Sequence, residues 1–405
     1  MKKFFVTIFI FFTILINIFP QQPYVILVSF DAFRWDYPDR GISPAIEKMR
    51  QEGVSALSFQ PCFPSKTFPN HLSIITGMYP ENHGIILNTF INPFTKELYR
   101  LGDRSQVVNP EWYLGEPFWE TARRNGIISA SYFWPGSEID NEQERPNYYL
   151  PFNDSTPNME RIASVIDWLK LPYEERPHFI TLYFDDTDDK GHEYGPNSPE
   201  INDAIKTLDG NLDSLYKGIT ALGLKDSINV ILISDHGMTE VSLDRLINLE
   251  TILSGLDFSA YDNGPVVMIF PDESSTSEIY DRLKQNENHY KVYLKDNIPD
   301  YYHFSKHPFI APIILIADLG WTIVDNLNFM KEHFYSAKGN HGYPVDEIDM
   351  HGIFIAEGPA FRKGLKTGTL WNIDIYPLLC KIFGIEPRSN IDGNLERIEF
   401  ILNTP

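Results

Sequence analysis

Acidic residues and histidines follow short apolar segments at three places in the chain. They are Asp31, the pair Asp188 and His192, and the pair Asp235 and His236. In open α/β sheets, ligands bind at the carboxyl ends of the strands, so we expect these side chains to converge on one site. A further histidine, His341, lies outside this pattern in a glycine-rich turn.

Together these residues form a set of ligands that suits zinc or another first-row divalent ion. Carboxylates and neutral imidazoles both bind such ions, and three of each are enough for two ions. Each residue also has a structural alternative, with Asp31 as a turn former, Asp235 as a cap and His341 as an exposed loop residue. Asp188 is alternatively part of a solvated acidic run. Their joint placement favours the metal site.

A hydroxyl group near the start of a predicted helix adds a candidate nucleophile. The segment from Pro61 to His71 precedes an apolar run that stops at Gly77. Pro69 fits the first turn of a helix, so Thr67 would lie at the helix N-terminus, where backbone N–H groups favour anions. A hydroxyl beside a divalent ion can act as a nucleophile. The alternative is that Thr67 only caps the helix.

Alternating strand and helix patterns must position these side chains. Nearly continuous apolar runs predict buried strands at Tyr24–Phe30, Ile180–Phe184, Val230–Ile233 and Ile353–Ala356. Apolar residues at helical spacing predict helices at Pro44–Gln51, Met159–Leu169 and Ile201–Ala221. This alternation predicts an α/β fold whose mainly parallel sheet is sandwiched by helices.

Residues 258–325 show a different pattern. The predicted elements are strands at Val266–Phe270, Tyr290–Leu294 and Ile313–Ala317, a helix at Ser277–Gln285 and a loop at Pro299–Pro308. We expect a small α+β subdomain, inserted as a cap into a catalytic core made of residues 21–257 and 326–405.

The composition excludes several classes of protein. The chain has 405 residues, of which 43% are hydrophobic and 22% charged, so it is neither disordered, collagen-like nor a coiled coil. The formal charge of −21 repels polyanions, which excludes tight binding to a nucleic-acid backbone. A small anion is still accepted, because a bound metal reverses the field locally. The sequence does not specify an oligomeric state.

Residues 1–20 predict a signal peptide. The basic start Met1–Lys3 precedes the apolar stretch Phe4–Ile16, which is short for a membrane span of about 20 residues. We therefore expect a secreted or periplasmic protein without a stable span after cleavage, with a retained N-terminal anchor as the alternative. Cys62 and Cys380 are too few for a disulfide scaffold, so we expect buried free thiols, with one bridge between them as the alternative.

Seven stretches of the sequence resemble the nucleotide pyrophosphatase/phosphodiesterase family of the alkaline phosphatase superfamily. They are VSFDAFRWDY at Val28–Tyr37, FPSKTFPNHLSIITGMYPENHGI at Phe63–Ile85, YFWPGSE at Tyr132–Glu138, PHFITLYFDDTDDKGHEYGP at Pro177–Pro196, LISDHGM at Leu232–Met238, GNHGYP at Gly339–Pro344 and DMHGIFIAEGPAF at Asp349–Phe361. They follow the family's order across nearly the whole mature chain. The sequence therefore looks like a minimal secreted catalytic unit of this family.

The resemblance implies a phosphodiesterase with two zinc ions and a covalent threonine intermediate. The ligands that it implies are Asp31, Thr67, Asp235 and His236 for one ion, and Asp188, His192 and His341 for the other. Thr67 is implied as the nucleophile and Asn88 as a residue that helps hold a non-bridging phosphate oxygen. Lys66 and Phe68 flank the nucleophile, and Phe68 matches one side of an aromatic clamp on the substrate base.

The resemblance also carries the expectation about the substrate. Phe152 falls where nucleotide-hydrolysing members have a tyrosine on the other side of the clamp, although it is alternatively ordinary core packing. The implied reaction is hydrolysis of phosphodiester and pyrophosphate bonds in nucleotides, which releases nucleoside 5′-monophosphates. Ala32 replaces the family's usual glycine, and residues 185–187 depart from its Glu-Glu-Pro, but neither change removes a ligand.

Four other functions are compatible with parts of the pattern. A diesterase for lipid headgroups or choline-type phosphodiesters is a branch of the same family, and aromatic residues also bind choline through cation–π contact. The stretch Cys62–Lys66 nearly matches the sulfatase signature, with Lys66 where an arginine is required. A phosphomonoesterase needs an arginine for the extra phosphate oxygens, and the sequence offers only Arg34 near Asp31. The last alternative is a binding module that has lost activity.

Overall fold

The computed structural model describes residues 22–325 and 337–403. The predicted signal peptide lies outside these residues. Among the helices of the described ranges, none is both long enough and apolar enough to cross a membrane.

Two larger sheets account for most of the strands. In chain order the strands are β1 (Tyr24–Phe30), β2 (Val54–Ala56), β3 (Ser129–Tyr132), β4 (Tyr148–Leu150), β5 (Phe179–Phe184), β6 (Ile228–Ile233), β7 (Phe258–Tyr261), β8 (Val266–Pro271), β9 (Tyr290–Leu294), β10 (Ile313–Ala317), β11 (Phe354–Glu357) and β12 (Leu365–Thr367). The longer helices are α1 (Pro44–Glu52), α2 (Thr67–Thr76), α3 (Phe118–Arg124), α4 (Asn158–Leu169), α5 (Asp186–Tyr194), α6 (Pro199–Ala221), α7 (Thr276–Gln285) and α8 (Ile375–Phe383).

The main sheet has eight strands in the order β12-β2-β11-β6-β1-β5-β3-β4. β6, β1, β5, β3 and β4, which are adjacent in that order, run parallel to one another. β11 is antiparallel to both of its neighbours. The predicted α/β fold with a mainly parallel sheet is therefore confirmed.

Helices cover both faces of this sheet. Alternate residues of β1 contribute to two separate hydrophobic cores, with Val25 and Leu27 in one and Ile26 and Val28 in the other. The first core also contains apolar residues of α2, α3 and α8, and the second those of α1, α4 and α6. Burial on both faces explains why the predicted strands are apolar at nearly every position.

The segment predicted as an inserted subdomain forms the second sheet, in the order β7-β8-β10-β9, with antiparallel pairing throughout. Val267 and Ile269 pack with residues of α7, whereas Val266 and Met268 join the first core of the main sheet. The four predicted elements are present, and β7 is an additional strand. Residues 246–248, which lie before the predicted segment, pair with residues 322–324 inside it. The bounds 258–325 therefore stay a prediction.

Short strand pairs and the cysteines complete the architecture. The pairs are Phe59–Gln60 with Leu370–Trp371, Thr89–Ile91 with Leu98–Arg100, Thr239–Glu240 with Gly339–Asn340, and Leu246–Asn248 with Thr322–Val324. Cys62 and Cys380 are buried free thiols, which confirms that expectation and excludes the bridge.

Candidate metal centre and active site

The carboxyl ends of β1 and β6 bring two predicted ligands side by side. Ser29 pairs with Ile233, so the register continued by two residues sets Asp31 beside Asp235. The backbone N–H of Ala32 donates to Asp235 Oδ1 at 3.3 Å. Ala32 has a φ of 53°, in the left-handed region, which explains why a glycine is usual there.

Helix α5 and a glycine-rich strand bring together a second group. Asp188 and His192 lie one turn apart on α5, and Asp188 Oδ1 is 3.4 Å from His192 Nε2. His341 Nε2 lies 3.6 Å from the same carboxylate oxygen. This approach needs Gly339, because a Cβ there would lie 2.3 Å from the carbonyl oxygen of Gly191. The turn that looked separate in the sequence therefore reaches the sheet edge by close packing on α5.

His236 links Thr67 to the two carboxylates at the sheet edge. Its Nε2 lies 3.3 Å from Asp31 Oδ1 and 3.1 Å from Asp235 Oδ2. The Thr67 hydroxyl is 3.2 Å from the same nitrogen. The rings of His236 and His341 stack at 3.7 Å with 10° between their planes, so the two groups adjoin. All seven predicted ligand residues thus lie in one cluster.

The carboxylates of this cluster fit divalent cations. Three buried oxygens, Asp31 Oδ1, Asp188 Oδ1 and Asp235 Oδ2, have no hydrogen-bond donor within the part of the chain that the structure describes. Buried polar atoms are normally paired, so such atoms call for another partner. The ligand atoms of Asp188, His192 and His341 lie within 4.8 Å of one another, as do those of Asp31, Asp188 and His236.

The histidines are oriented in the way that metal-binding histidines usually are. In each of the three, Nδ1 lies within hydrogen-bond distance of a backbone carbonyl, which can only accept. The pairs are His236 with Gly237 O at 2.8 Å, His192 with Gly339 O at 3.0 Å, and His341 with Ser65 O at 2.9 Å. Nδ1 therefore carries the hydrogen, and Nε2 presents a lone pair to the cluster.

Electrostatics make the cluster unfavourable without a cation. Burial, followed by repulsion from the neighbouring carboxylates, raises the pKa of Asp31 and of Asp235 well above the usual range. Burial also raises the pKa of Asp188. The same burial lowers the pKa of His236 and of His341 well below 6.5. Divalent cations would favour the ionised carboxylates that burial disfavours, and they bind the neutral imidazoles that burial already favours.

Helix α2 begins at Thr67, and the residue in the capping position is Lys66. The alternative that Thr67 is only an N-cap is therefore wrong, and its hydroxyl contacts His236 instead. The backbone N–H of Phe68 donates to Asn88 Oδ1 at 3.3 Å, which holds Asn88 beside the helix start. The predicted nucleophile and the predicted phosphate-binding amide are thus neighbours.

Two cavities adjoin the cluster. The first, of about 460 Å³, is lined by Thr67, Phe68, Asn88 and Phe152 and by four more of the predicted ligands, Asp31, Asp188, His192 and His341. Phe152 is 45% exposed, so the core-packing alternative is wrong. The second cavity, of about 560 Å³, is lined by Lys66 and shares Asn88 with the first.

Several residues of the site were missed in the sequence. The Tyr183 hydroxyl donates to Asp31 Oδ2 at 2.5 Å, but a tyrosine inside an apolar strand gives no signal of its own. The Arg104 guanidinium pairs with the Glu138 carboxylate in the wall of the first cavity. His71 contacts Asp235, with 3.3 Å between Nδ1 and Oδ2, and does not line the first cavity. Only the stretch that contains His71 was singled out in the sequence.

The structure disfavours two alternative functions. The guanidinium of Arg34 is engaged by Asp36 and by the Met238 carbonyl, and Arg34 does not line the first cavity. It is therefore unsuited to grip a phosphomonoester. Cys62 is buried, burial raises the pKa of its thiol, and its sulfur contacts Asn372. A sulfatase nucleophile at Cys62 has no access to substrate.

The fold and the cluster together define an α/β protein with candidate metal ligands at the carboxyl edge of its main sheet. A family profile described as "Type I phosphodiesterase / nucleotide pyrophosphatase" matches residues 25–344. The chain is a member of this family, which confirms the resemblance seen in its sequence motifs.

Individual relatives cover most of the chain. Human ectonucleotide pyrophosphatase/phosphodiesterase family member 5 is 35% identical over 95% of this chain and 79% of its own length. Human bis(5′-adenosyl)-triphosphatase ENPP4 is 38% identical over 91% of this chain and 80% of its own. Human family member 1 is 36% identical over 95% of this chain, but the match spans only 42% of that relative.

A solved structure shows the same fold. Murine family member 5, as an inactive threonine-to-alanine variant in complex with AMP, superposes with a TM-score of 0.89. The two share 32% sequence identity over 94% of this chain and 100% of the murine chain.

Proposed function

We propose that the protein is a metal-dependent phosphodiesterase and nucleotide pyrophosphatase that releases nucleoside 5′-monophosphates. The observation that carries the proposal is the Thr67 hydroxyl at the start of α2, 3.2 Å from His236 within the cluster of unpaired carboxylates. AMP bound to murine family member 5 supports a nucleotide substrate. That relative is inactive with a threonine replaced by alanine, which supports a threonine nucleophile.

The metal ligands are proposed as two groups. Asp31, Thr67, Asp235 and His236 hold one ion, and Asp188, His192 and His341 hold the other. When bound, two divalent ions supply Lewis-acid stabilisation of the charge on the attacking and leaving oxygens. Zinc suits this mixture of carboxylate and imidazole ligands. Two ions carry +4, which offsets three carboxylates and an ionised threonine, so an anionic substrate enters despite the acidic surface.

Thr67 carries the covalent step. The Thr67 hydroxyl releases its proton to solvent and its oxygen attacks phosphorus. The bond from phosphorus to the leaving oxygen breaks, and the nucleoside phosphate stays bound to Thr67 as a phosphodiester. Water then attacks this ester, which releases the nucleoside monophosphate and restores the hydroxyl. The side-chain NH2 of Asn88, whose amide oxygen accepts from the Phe68 N–H, stabilises the phosphate oxygens.

Phe68 and Phe152 are proposed to bind the base of the nucleotide in the first cavity. Both rings line that cavity. Stacking of a base on an aromatic ring contributes about 1–3 kcal/mol per base. The leaving group is then proposed to lie in the second cavity, beside Lys66.

A hydrolysis panel on the zinc-loaded full chain tests this function. It compares p-nitrophenyl thymidine monophosphate, ATP, diadenosine triphosphate, glycerophosphocholine, p-nitrophenyl phosphate and p-nitrophenyl sulfate. We expect turnover of the nucleotide diesters and pyrophosphates with little of the monoester or the sulfate. A preference for glycerophosphocholine moves the assignment to the lipid-headgroup branch, and no turnover of any diester overturns the proposal.

Metal content is measured on the same preparation. Elemental analysis after dialysis against trace zinc is expected to give about two equivalents per chain. A chelator should abolish turnover, and zinc should restore it. A reproducible value of one equivalent in a fully active protein would contradict the two-ion proposal.

Export is the remaining part of the proposal. Residues 1–20 are proposed as a signal peptide, which delivers the protein to the periplasm or the cell exterior. N-terminal sequencing of the protein recovered from the medium or the periplasm tests this. Recovery of the protein in the membrane fraction with an intact Met1 supports the retained anchor instead.

A further inference from the structure

We propose that His71 is a positioning residue that holds both the nucleophile and a metal ligand, without binding the metal itself. The inference rests on the proposed function, because it concerns how the same site is kept in place. It assigns a role to a histidine that neither the ligand set nor the substrate contacts include.

The position of His71 connects three parts of the site. It lies one helical turn after Thr67 on α2, so its Nδ1 is 2.9 Å from the Thr67 carbonyl oxygen. The same nitrogen is 3.3 Å from Asp235 Oδ2 at the end of β6. Its Nε2 is 2.8 Å from the Ser29 hydroxyl on β1, two residues before Asp31. The ring therefore joins the nucleophile to β1 by hydrogen bonds and lies against the Asp235 carboxylate at the end of β6 without a hydrogen bond to it.

The partners decide which nitrogen carries the hydrogen. A carbonyl oxygen only accepts hydrogen bonds, so Nδ1 must donate to Thr67. The Ser29 hydroxyl then donates to Nε2. The ligand atoms of Asp31, His71 and Asp235 lie within 4.8 Å of one another, a spacing that also suits a metal. However, a nitrogen that carries a hydrogen has no lone pair for a metal, which excludes His71 as a ligand in this arrangement.

The ring is fixed on its remaining sides. It packs edge to face against Trp134 and against Tyr183, with centroids 4.9 Å and 5.2 Å apart. Trp134 also donates its indole N–H to the His71 carbonyl at 3.2 Å. The side chain is fully buried, so water cannot replace its hydrogen bonds. Because His71 is held this firmly, we expect it to fix the orientation of Asp235, the proposed ligand that it contacts.

The experiment compares His71→Leu with His71→Asn and with a matched control, His83→Leu. His83 is also buried, and its ring contacts Ser73 and the Pro69 carbonyl but none of the proposed ligands. An asparagine amide can place its N–H near the position of Nδ1, whereas leucine cannot. The measurements are thermal unfolding, zinc affinity by chelator competition, and kcat and KM for p-nitrophenyl thymidine monophosphate.

We expect His71→Leu to weaken one of the two zinc equivalents by about 10–100-fold and to lower kcat more than it raises KM. His71→Asn should retain most of the affinity. His83→Leu should lose thermal stability with unchanged zinc affinity. Wild-type affinity in folded His71→Leu, or equal losses in His71→Leu and His83→Leu, would overturn the proposal.

A second comparison serves if His71→Leu does not fold. His71→Gln places its amide near Nε2 and so keeps the Ser29 contact while it loses the contact with Thr67. The proposal then requires weaker zinc binding in His71→Gln than in His71→Asn, and the opposite order overturns it. Failure of the proposed function itself is recognised separately, as a wild-type chain that neither binds zinc nor hydrolyses a diester.

Discussion

The ammonium group of Lys66, at the start of α2, lies 3.1 Å from the carboxylate of Asp262 in the loop between β7 and β8. Both side chains are largely buried, at 8% and 13% exposure. Both line the second cavity, where we place the leaving group. Asp262 therefore neutralises the cation next to the nucleophile before substrate arrives.

Removal of this carboxylate should favour leaving groups of high charge. In Asp262→Asn, Lys66 is free to pair with the pyrophosphate that leaves from ATP. We expect KM for ATP to fall by about threefold to tenfold, which corresponds to ~1 kcal/mol. KM for p-nitrophenyl thymidine monophosphate, whose leaving group carries a single charge, should change little. Steady-state kinetics on both substrates measure the ratio.

Lys66→Met provides the control for this comparison. It should raise KM for ATP. In the double variant, Asp262→Asn should not change KM for ATP any further, because the two residues act through one contact. A full effect of Asp262→Asn in the Lys66→Met background would show that the carboxylate acts on substrate directly.

The nucleophile is tested by Thr67→Ala and Thr67→Ser. Thr67→Ala should fold and bind metal, because it removes one hydroxyl whose net worth to stability is about 1 kcal/mol. Its kcat should nevertheless fall by about three orders of magnitude or more. Thr67→Ser keeps the hydroxyl and should retain part of the turnover. Mass spectrometry of the quenched wild-type reaction should detect the Thr67 peptide with a nucleoside monophosphate attached, and near-normal kcat in Thr67→Ala would rule out the threonine ester.

Because the carboxylates of the site are buried, we expect Asp31→Asn to stabilise the metal-free protein and to destabilise the metal-loaded protein. The pKa of Asp31 is raised in the fold, so its ionised form is disfavoured there. The metal-free fold therefore loses stability as pH rises above about 4, by at most ~1.4 kcal/mol per pH unit, until the folded pKa is passed. Asp31→Asn should relieve this loss without metal, yet destabilise the zinc-loaded protein by removing a ligand.

Thermal unfolding of both forms between pH 5 and pH 8 measures this effect. The difference in Tm between Asp31→Asn and wild type should grow with pH in the chelated protein. The lowered pKa values of His236 and His341 make the folded state more stable as pH rises, which is the opposite trend. This contribution is present in both proteins, so it is removed when the wild-type Tm is subtracted. Asp203→Asn, at an exposed position, is the control and should show no such trend. A Tm difference that is independent of pH would contradict the prediction.

Phe152→Ala tests the proposed base-binding wall. The substitution removes one stacking surface, so KM for nucleotide diesters should rise by about tenfold, the equivalent of ~1.4 kcal/mol. KM for bis(p-nitrophenyl) phosphate, which has no base, should rise less. Phe94→Ala is a suitable control, because Phe94 is 74% exposed and does not line the first cavity. Equal effects of Phe152→Ala on both substrates would place the base elsewhere.

Much of the fold could be predicted because its strands are buried on both faces. Continuous apolar runs such as Tyr24–Phe30 mark such strands with little ambiguity, and the structure has β1 at the same residues. Helix α5 was not predicted, because its sequence is mostly polar and its acidic residues resemble a solvated loop. Its stability comes from packing, including the contact of Gly191 with Gly339, which no local pattern shows.

The sequence by itself determined the chemical types at the site, since Asp, His and Thr residues at the ends of apolar runs already indicate metal and nucleophile chemistry. Tertiary structure decided which of these groups meet. The parallel register of β1 and β6 sets Asp31 beside Asp235, and close packing on α5 brings in His341 from the far end of the chain. The roles of His71 and Asp262 also depend on contacts between residues far apart in sequence, and such contacts leave no trace in local spacing or composition.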